Sequence, residues 1–389
     1  MDQMDKPTSA VDPDGLREFS VVFTDRSLNH MSRTFQEVMR DLSGLLREVY
    51  GAEAAVIVPG GGTYAMEAVA RQFATDARVM VIRNGWFSYR WTQIFEAGRI
   101  PAEATVLKAR RVEDAHEAPF APAPVEEVVA AITAERPAVV FAPHVETSAG
   151  IMLPDGYLRA VADAVHGVGG LFVLDCVASG AMWVDMAALG VDVLISAPQK
   201  GWSSSPSSGL VMLSPAALER LGETTSTSFA CDLGKWHSIM QAYLNGGHAY
   251  HATMPTDALT VFRERVLETK AFGYEAARAA QANMGARVRA MLAERGVRSV
   301  AAPGFEAPSV VVSYTGEPDI QNGARFAAQG MQIAAGVPLE CDEPEDFRTF
   351  RIGLFGLDKL RDVDGTVADL EKTLDVVLGR GWNAGAARD

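Results

Sequence analysis

A chain of 389 residues is long enough for one large domain and a smaller one, each with its own core. Its hydrophobic share of 48% and charged share of 22% are those of a globular protein. The net charge of −14 argues against a nucleic-acid or anionic-membrane surface, so an anionic ligand would need a local cluster of donors.

No apolar run is long enough to span a membrane, and the polar, acidic N-terminus is neither a signal peptide nor an anchor. Residues 1–15, ending in Pro, Asp and Gly, are expected to be a flexible tail. The three cysteines, Cys176, Cys231 and Cys341, lack disulfide or metal spacing, which points to a reducing, cytoplasmic compartment.

From 34 to 50 the residues Phe35, Val38, Met39, Leu42, Leu45, Leu46 and Val49 keep helical spacing. Thr34 and Glu37 fit a capping box, and Gly51 fits the helix stop. Residues 54–58 read as a strand, followed by Pro59-Gly60-Gly61-Gly62-Thr63 and a helix with Met66, Val69, Ala70 and Phe73 on one face. Strand, glycine turn and helix start aim backbone N–H groups and a positive dipole end at one spot, which suits a phosphate. The same turn also occurs with no ligand.

The alternation continues. Residues 78–82 read as a strand leading to Asn84-Gly85, with Trp86 and Phe87 next. Strands at 104–107 and 138–141 flank a helix at 125–134, and the second runs into Pro143-His144-Val145-Glu146-Thr147-Ser148-Ala149-Gly150. After a helix at 157–165, two nearly continuous apolar runs, 171–174 and 191–195, read as buried parallel strands. The first ends on Asp175. The second ends on Ser196-Ala197-Pro198-Gln199-Lys200 and a Ser/Gly-rich loop. A strand at 210–213 and a helix at 215–221 close this part, so the alternation predicts an α/β fold: a mostly parallel sheet with helices on both faces.

Residues 224–254 read as irregular, and a long helix is expected over 256–294. Strands at 309–314, 331–334 and 349–354, with helices at 319–329 and 359–378, suggest a compact α+β unit. The expected division is a tail over 1–15, a large domain over 16–260, and a small C-terminal domain over 261–389 that includes the long helix.

Ligands of open α/β sheets sit outside the carboxyl ends of the strands, and here an acid and an amine are both delivered to that edge. A lysine with a depressed pKa can form a Schiff base with an aldehyde, and an aspartate can keep a pyridine nitrogen protonated. Those are the two requirements of pyridoxal phosphate chemistry. Taken singly, the Asp could be a helix cap and the Lys a solvated one. Arg351, a charge inside the apolar run Phe350-Arg351-Ile352-Gly353-Leu354, is either a carboxylate anchor or one half of a salt bridge with Glu343 or Asp358. His248 and His251 have no third residue at metal-ligand spacing, so no metal is expected.

The ordered set His30-Met31-Ser32-Arg33-Thr34-Phe35, Gly61-Gly62-Thr63, Asn84-Gly85, His144 to Gly150, Leu174-Asp175-Cys176-Val177-Ala178-Ser179, Ser196 to Lys200, Tyr250-His251-Ala252-Thr253 and Arg351-Ile352-Gly353-Leu354 resembles the class V aminotransferases. These are fold type I pyridoxal phosphate enzymes, and the resemblance is nearest to the alanine–glyoxylate and serine–glyoxylate aminotransferases. It implies a large domain built on a mostly parallel sheet of the seven-stranded type and a smaller α+β domain. It implies that Lys200 holds the aldehyde of pyridoxal 5'-phosphate and Asp175 pairs with its ring nitrogen. Thr147 would sit near the ring hydroxyl, Val177 on one ring face, and Phe87, with Trp86 as its rival, on the other. Gly61, Gly62, Thr63 and Gln199 would hold the phosphate. Tyr250 and Thr253 would reach the phosphate of the neighbouring subunit in a homodimer, and Arg351 would bind the substrate carboxylate.

Relatives carry a Pro-Gly-Pro segment lining the substrate pocket where this chain has Phe23-Thr24-Asp25-Arg26-Ser27-Leu28-Asn29, which puts Asn29 on the substrate side. The implied reaction is a ping-pong transfer from a small amino acid, of alanine or serine type, to a 2-oxo acid such as glyoxylate or pyruvate. Three rivals stand beside it. One is cysteine desulfuration using Cys341, ten positions before Arg351 but in an acidic loop that should blunt a thiolate. Another is a non-catalytic protein on the same fold. The last is a nucleotide site, which lacks GxGxxG and an acidic ribose partner.

Overall fold

The computed structural model describes residues 11–13, 15–21 and 26–379. Most of the expected tail, and Phe23, Thr24 and Asp25 of the substituted pocket segment, lie outside the described residues.

Seven strands form the main sheet: β1 (Ala54–Pro59), β2 (Arg78–Arg83), β3 (Glu103–Lys108), β4 (Val139–Pro143), β5 (Leu171–Asp175), β6 (Val193–Ser196) and β7 (Ser208–Leu213). Their order is β1-β7-β6-β5-β4-β2-β3. Pairs from β6 through β3 are parallel, while β7 runs antiparallel to both neighbours. Every residue of β4, β5, β6 and β7 is buried, which is why these strands read as unbroken apolar runs. β3, at the sheet edge, buries none of its residues fully.

The reversal at β7 matters for the site. Because β1, β5 and β6 point the same way, Pro59, Asp175 and Ser196 end at one edge, and β7 starts there with Ser208 opposite Pro59. The loop between β6 and β7 therefore leaves and re-enters the sheet at that edge, carrying Lys200.

Helices pack on the sheet: α1 (Arg33–Tyr50), α2 (Gly62–Phe73), α3 (Trp86–Gly98), α4 (Val125–Glu135), α5 (Asp155–Gly167), α6 (Pro215–Glu223) and α7 (Leu233–Leu244). Then follow α8 (Thr256–Phe272), α9 (Tyr274–Glu294) and α10 (Val363–Val377). The second sheet, order β8-β10-β9, is antiparallel and consists of β8 (Val310–Tyr314), β9 (Ala334–Ala335) and β10 (Thr349–Gly353).

Several expectations need correcting. The cap of α1 is Ser32, whose Oγ accepts the Phe35 N–H at 3.1 Å; Thr34 lies inside the helix and donates to Asp12 instead. Gly51 stops α1 in the left-handed conformation, φ +62°, as expected. Residues 224–254 are not irregular throughout. They contain α7, capped by Asp232 and burying Leu233, Trp236, Ile239, Met240 and Tyr243 against β1 and α1. The long helix over 256–294 is two helices, because Gly273 adopts φ +99° and serves as the end of α8 and the start of α9. The strand at 331–334 shrinks to the two residues of β9, and 319–329 forms two single turns split at Gly323, φ +82°.

Gly209 in β7 shows how closely α2 approaches the sheet. A Cβ there would lie 2.7 Å from the Gly61 carbonyl oxygen and closer still to Ala65. Gly209→Ala should cost ~1–3 kcal/mol, because α2 must lift off the sheet to admit it. A melting temperature equal to that of the native protein would show that the helix is not seated so tightly.

Candidate active site

The site grows from four strand ends. β5 delivers Asp175, whose carboxylate is buried and accepts the Val177 N–H at 2.9 Å. Burial pushes this carboxyl up to about 6, and Glu146 adds to the effect; the Val177 N–H, Arg90 and Lys200 pull the other way.

β6 delivers Lys200, half-buried, with its Nζ 5.5 Å from the centre of the Phe355 ring. Burial lowers its pKa, and the positive charges of Arg351 and Arg90 lower it further against the pull of Asp175. The expected pair thus shares one electrostatic environment: an acid held up and an amine held down.

β1 delivers the glycine turn. Gly60 adopts φ +123° and Gly61 caps α2 from an extended conformation. A Cβ on Gly62 would stand 2.9 Å from Val177 and 3.7 Å from Ala197, so the turn abuts the loops after β5 and β6. Thr63 Oγ1 accepts a hydrogen bond from Arg90 Nη1 at 3.0 Å.

β2 delivers Asn84-Gly85 and the start of α3, which the buried Glu146 caps. Its carboxylate accepts the N–H groups of Phe87 (3.2 Å), Ser88 (2.9 Å) and Ser148 (3.1 Å), and the hydroxyls of Ser88 and Ser148, both at 2.7 Å. A Cβ on Gly85 would collide with Ser148 Oγ, so only glycine admits this close approach. The Phe87 ring faces the guanidinium groups of Arg90 at 5.3 Å and Arg351 at 5.5 Å, whereas Trp86 lies against Tyr89. Thr147 is half-buried between Glu146 and Ser148.

Arg351, on β10, donates from Nε to the Ala335 carbonyl at 2.8 Å. Glu343 instead accepts the backbone N–H groups of Leu339, Glu340 and Cys341, and Arg351 makes no salt bridge with it or with Asp358 among the described residues.

The remaining expected residues make local contacts within the described chain. Asn29 donates to Glu18 and accepts the Met31 N–H at 2.8 Å. Tyr250 and Thr253 are exposed, their hydroxyls 3.4 Å apart, beside His30 at the mouth of a small recess. His248 and His251 pack against His30 and Phe229, and no group of metal ligands exists among the described residues.

Sequence reading gave no role to Arg90, Glu146 or Phe355. Arg90 lies three residues after Phe87, on the same helix face, a spacing that could have flagged it.

The donor set fits pyridoxal phosphate. A glycine turn with Thr63 at a helix start suits a phosphate, a depressed amine suits an aldehyde, and a buried carboxylate suits a protonated ring nitrogen. The Gln199 oxygen and both polar atoms of the Asn84 side chain are buried without a protein partner, as expected at a site completed by a ligand.

The aminotransferase class-V family model matches residues 18–336. The 2-aminoethylphosphonate–pyruvate transaminase of Burkholderia mallei is 30% identical over 352 residues, covering 86% of this chain and 88% of that protein. Its counterpart in Paraburkholderia phymatum is 29% identical over 356 residues, covering 90% and 89%. Among solved structures, a subgroup IV aspartate aminotransferase from Thermus thermophilus superposes with a TM-score of 0.74 at 28% identity, covering 90% of this chain and 93% of that one. An alanine–glyoxylate aminotransferase from Nostoc sp. shares the fold, with a TM-score of 0.72 at 23% identity over 90% and 88% of the two chains. The chain belongs to the class V aminotransferases, pyridoxal-phosphate-dependent transaminases of fold type I.

Proposed function

We propose that this protein moves an amino group from a small amino acid of alanine or serine type to pyruvate or glyoxylate, with Lys200 and Asp175 at the centre of the reaction. The observation that carries the reading is their shared sheet edge, where each shifts the other's ionisation. The names of the Burkholderia relatives favour 2-aminoethylphosphonate as a second candidate donor.

Bound in this site, pyridoxal phosphate supplies an aldehyde carbon for covalent attachment and a ring that takes up electron density from the substrate. Lys200 provides the amine for attachment and, once free, is the base for the substrate α-proton. Its lowered pKa keeps more of it neutral and able to accept that proton. Asp175 holds the ring nitrogen, Val177 and Phe87 line the ring faces, and Thr147 serves the ring hydroxyl. Gly61, Gly62, Thr63 and Gln199 hold the phosphate, while Arg351 takes the substrate carboxylate in a forked pair. Asn29 borders the substrate side.

The working unit in this reading is a homodimer in which Tyr250 and Thr253 serve the neighbouring site. Their exposure, beside the exposed Phe229, supports that role. The three cysteines are unpaired, which favours a cytoplasmic location, and no described helix is long and apolar enough to cross a membrane. The division at 16–260 and 261–389 is kept as the domain proposal, with α8 and α9 as the connection.

Absorbance of the purified protein on adding single amines tests the reading: a true donor converts the aldehyde form of the cofactor to the amine form. Lys200→Ala should lower the transamination rate by at least ~10²-fold, the usual worth of a general base. Unaltered turnover in that variant would mean that catalysis lies elsewhere.

Desulfuration is disfavoured by Cys341 itself. Its Sγ is buried toward the carbonyl oxygens of Arg83 and Leu339, and burial, with Glu146 and Glu343 behind it, pushes the thiol up. Cys341→Ser should leave turnover within about twofold of the native rate; a collapse of activity would restore the thiol as a nucleophile.

Asp175 makes a pH prediction for the cofactor-free protein. Its carboxyl is raised to about 6 from an ordinary 3.8, so ionising it opposes folding above pH 6 and not below pH 4. Relative to Asp175→Asn, the native cofactor-free protein should gain up to ~3 kcal/mol as pH falls through that window. Parallel pH profiles for the two proteins in chemical denaturation would refute the buried, ionising carboxylate.

A further inference from the structure

The chain carries 49 acidic residues against 35 lysines and arginines. Even so, two half-buried guanidinium groups of the site, Arg90 and Arg351, make no salt bridge with a carboxylate among the described residues. Taking a cation partly out of water without a counter-charge is costly, and a bound anion offsets that cost. The two arginines face different neighbours. Arg351 lies beside Lys200 in charge and holds the Ala335 carbonyl, on the substrate side. Arg90 donates to Thr63 Oγ1, at the start of the 12-residue helix α2 that opens from the glycine turn.

That turn has donors but no charge. Gly61, Gly62, Thr63 and Gln199 offer amides and a hydroxyl, while a phosphate monoester near neutral pH carries close to two negative charges. In a strongly acidic protein the balancing cation must be local.

We propose that Arg90 is the cation that pairs with the phosphate of the bound cofactor, with Thr63 holding its guanidinium at the glycine turn. This rests on the Lys200–Asp175 reading of the site. A guanidinium suits the task because its planar fork donates two hydrogen bonds to one phosphate and stays charged at any working pH. The Phe87 ring supports it from the side, 5.3 Å from the guanidinium carbon, and its α3 backbone is fixed by Glu146.

The test titrates cofactor-depleted, full-length protein with pyridoxal 5'-phosphate and, separately, with pyridoxal, which lacks the phosphate, following absorbance. Arg90→Gln should bind pyridoxal 5'-phosphate about 10- to 100-fold more weakly, the worth of a charged hydrogen-bonded pair, with pyridoxal binding unchanged. Arg90→Lys should recover part of the loss, since an ammonium keeps the charge without the fork. Equal weakening of both compounds would overturn the proposal in favour of a purely structural arginine. Unchanged cofactor affinity with a raised KM for 2-aminoethylphosphonate would overturn it in favour of a substrate anchor. Should Arg90→Gln fail to fold, Arg90→Lys decides: an unaltered preference for the phosphorylated compound refutes the pairing. Failure of the native protein to bind either compound would remove the Lys200–Asp175 reading and this proposal with it.

Discussion

The Glu146 carboxylate is the interaction through which the ligand-facing loops hold one another. It is buried completely, yet it accepts three backbone N–H groups and two hydroxyls, so its charge is met by donors rather than by a cation. Three of those donors belong to the first turn of α3, where the helix dipole also favours a negative charge. One side chain thereby joins the loop after β4 to the turn after β2. Without it, both the phenyl ring at 87 and the guanidinium at 90 would ride on a helix end with unsatisfied amides. Its field reaches further: it adds to the burial that raises the Asp175 carboxyl and the Cys341 thiol, and it opposes the burial that lowers Arg351.

Burial alone would neutralise both the acid at 175 and the amine at 200. Arg90 acts on both ends, favouring the ionised carboxylate and the neutral amine. Arg351 adds to the effect on the amine only. Two arginines acting on one lysine, inside a protein of net charge −14, make a local positive potential that suits an anionic ligand.

The parallel strands were legible because burial on both faces writes them as unbroken apolar runs, and Asp175 and Lys200 stood out because they close two such runs. The direction of β7 was not legible: 208–213 is as apolar as its parallel neighbours, and only pairing with β1 and β6 reveals the reversal. The helix at 233–244 is hard to read because its apolar face carries Trp and Tyr among Gly, Lys and His, a mixture that resembles loop composition. The break at Gly273 is not legible inside a helical pattern, since periodicity does not report a positive φ. Glu146 and Arg90 carry no signal of their roles in the local sequence. The partners that give them meaning lie 58 and 27 residues away in sequence.

Hydrogen bonds that run past the lysine tie three segments of the site together. Ser203, three residues after it, adopts φ +58°, and its hydroxyl accepts the Leu357 N–H at 2.7 Å. Gln281 on α9 donates to the carbonyls of Pro308 and Leu354 at 3.0 and 3.2 Å, and Ser309 donates to Ala178 at 2.8 Å. The loop bearing Lys200, the segment after Asp175 and the end of the strand bearing Arg351 are therefore pinned to one another. Phe355, between those pins, is held with its ring over the amine. Such a framework fixes the distance between the Lys200 amine and the Arg351 guanidinium.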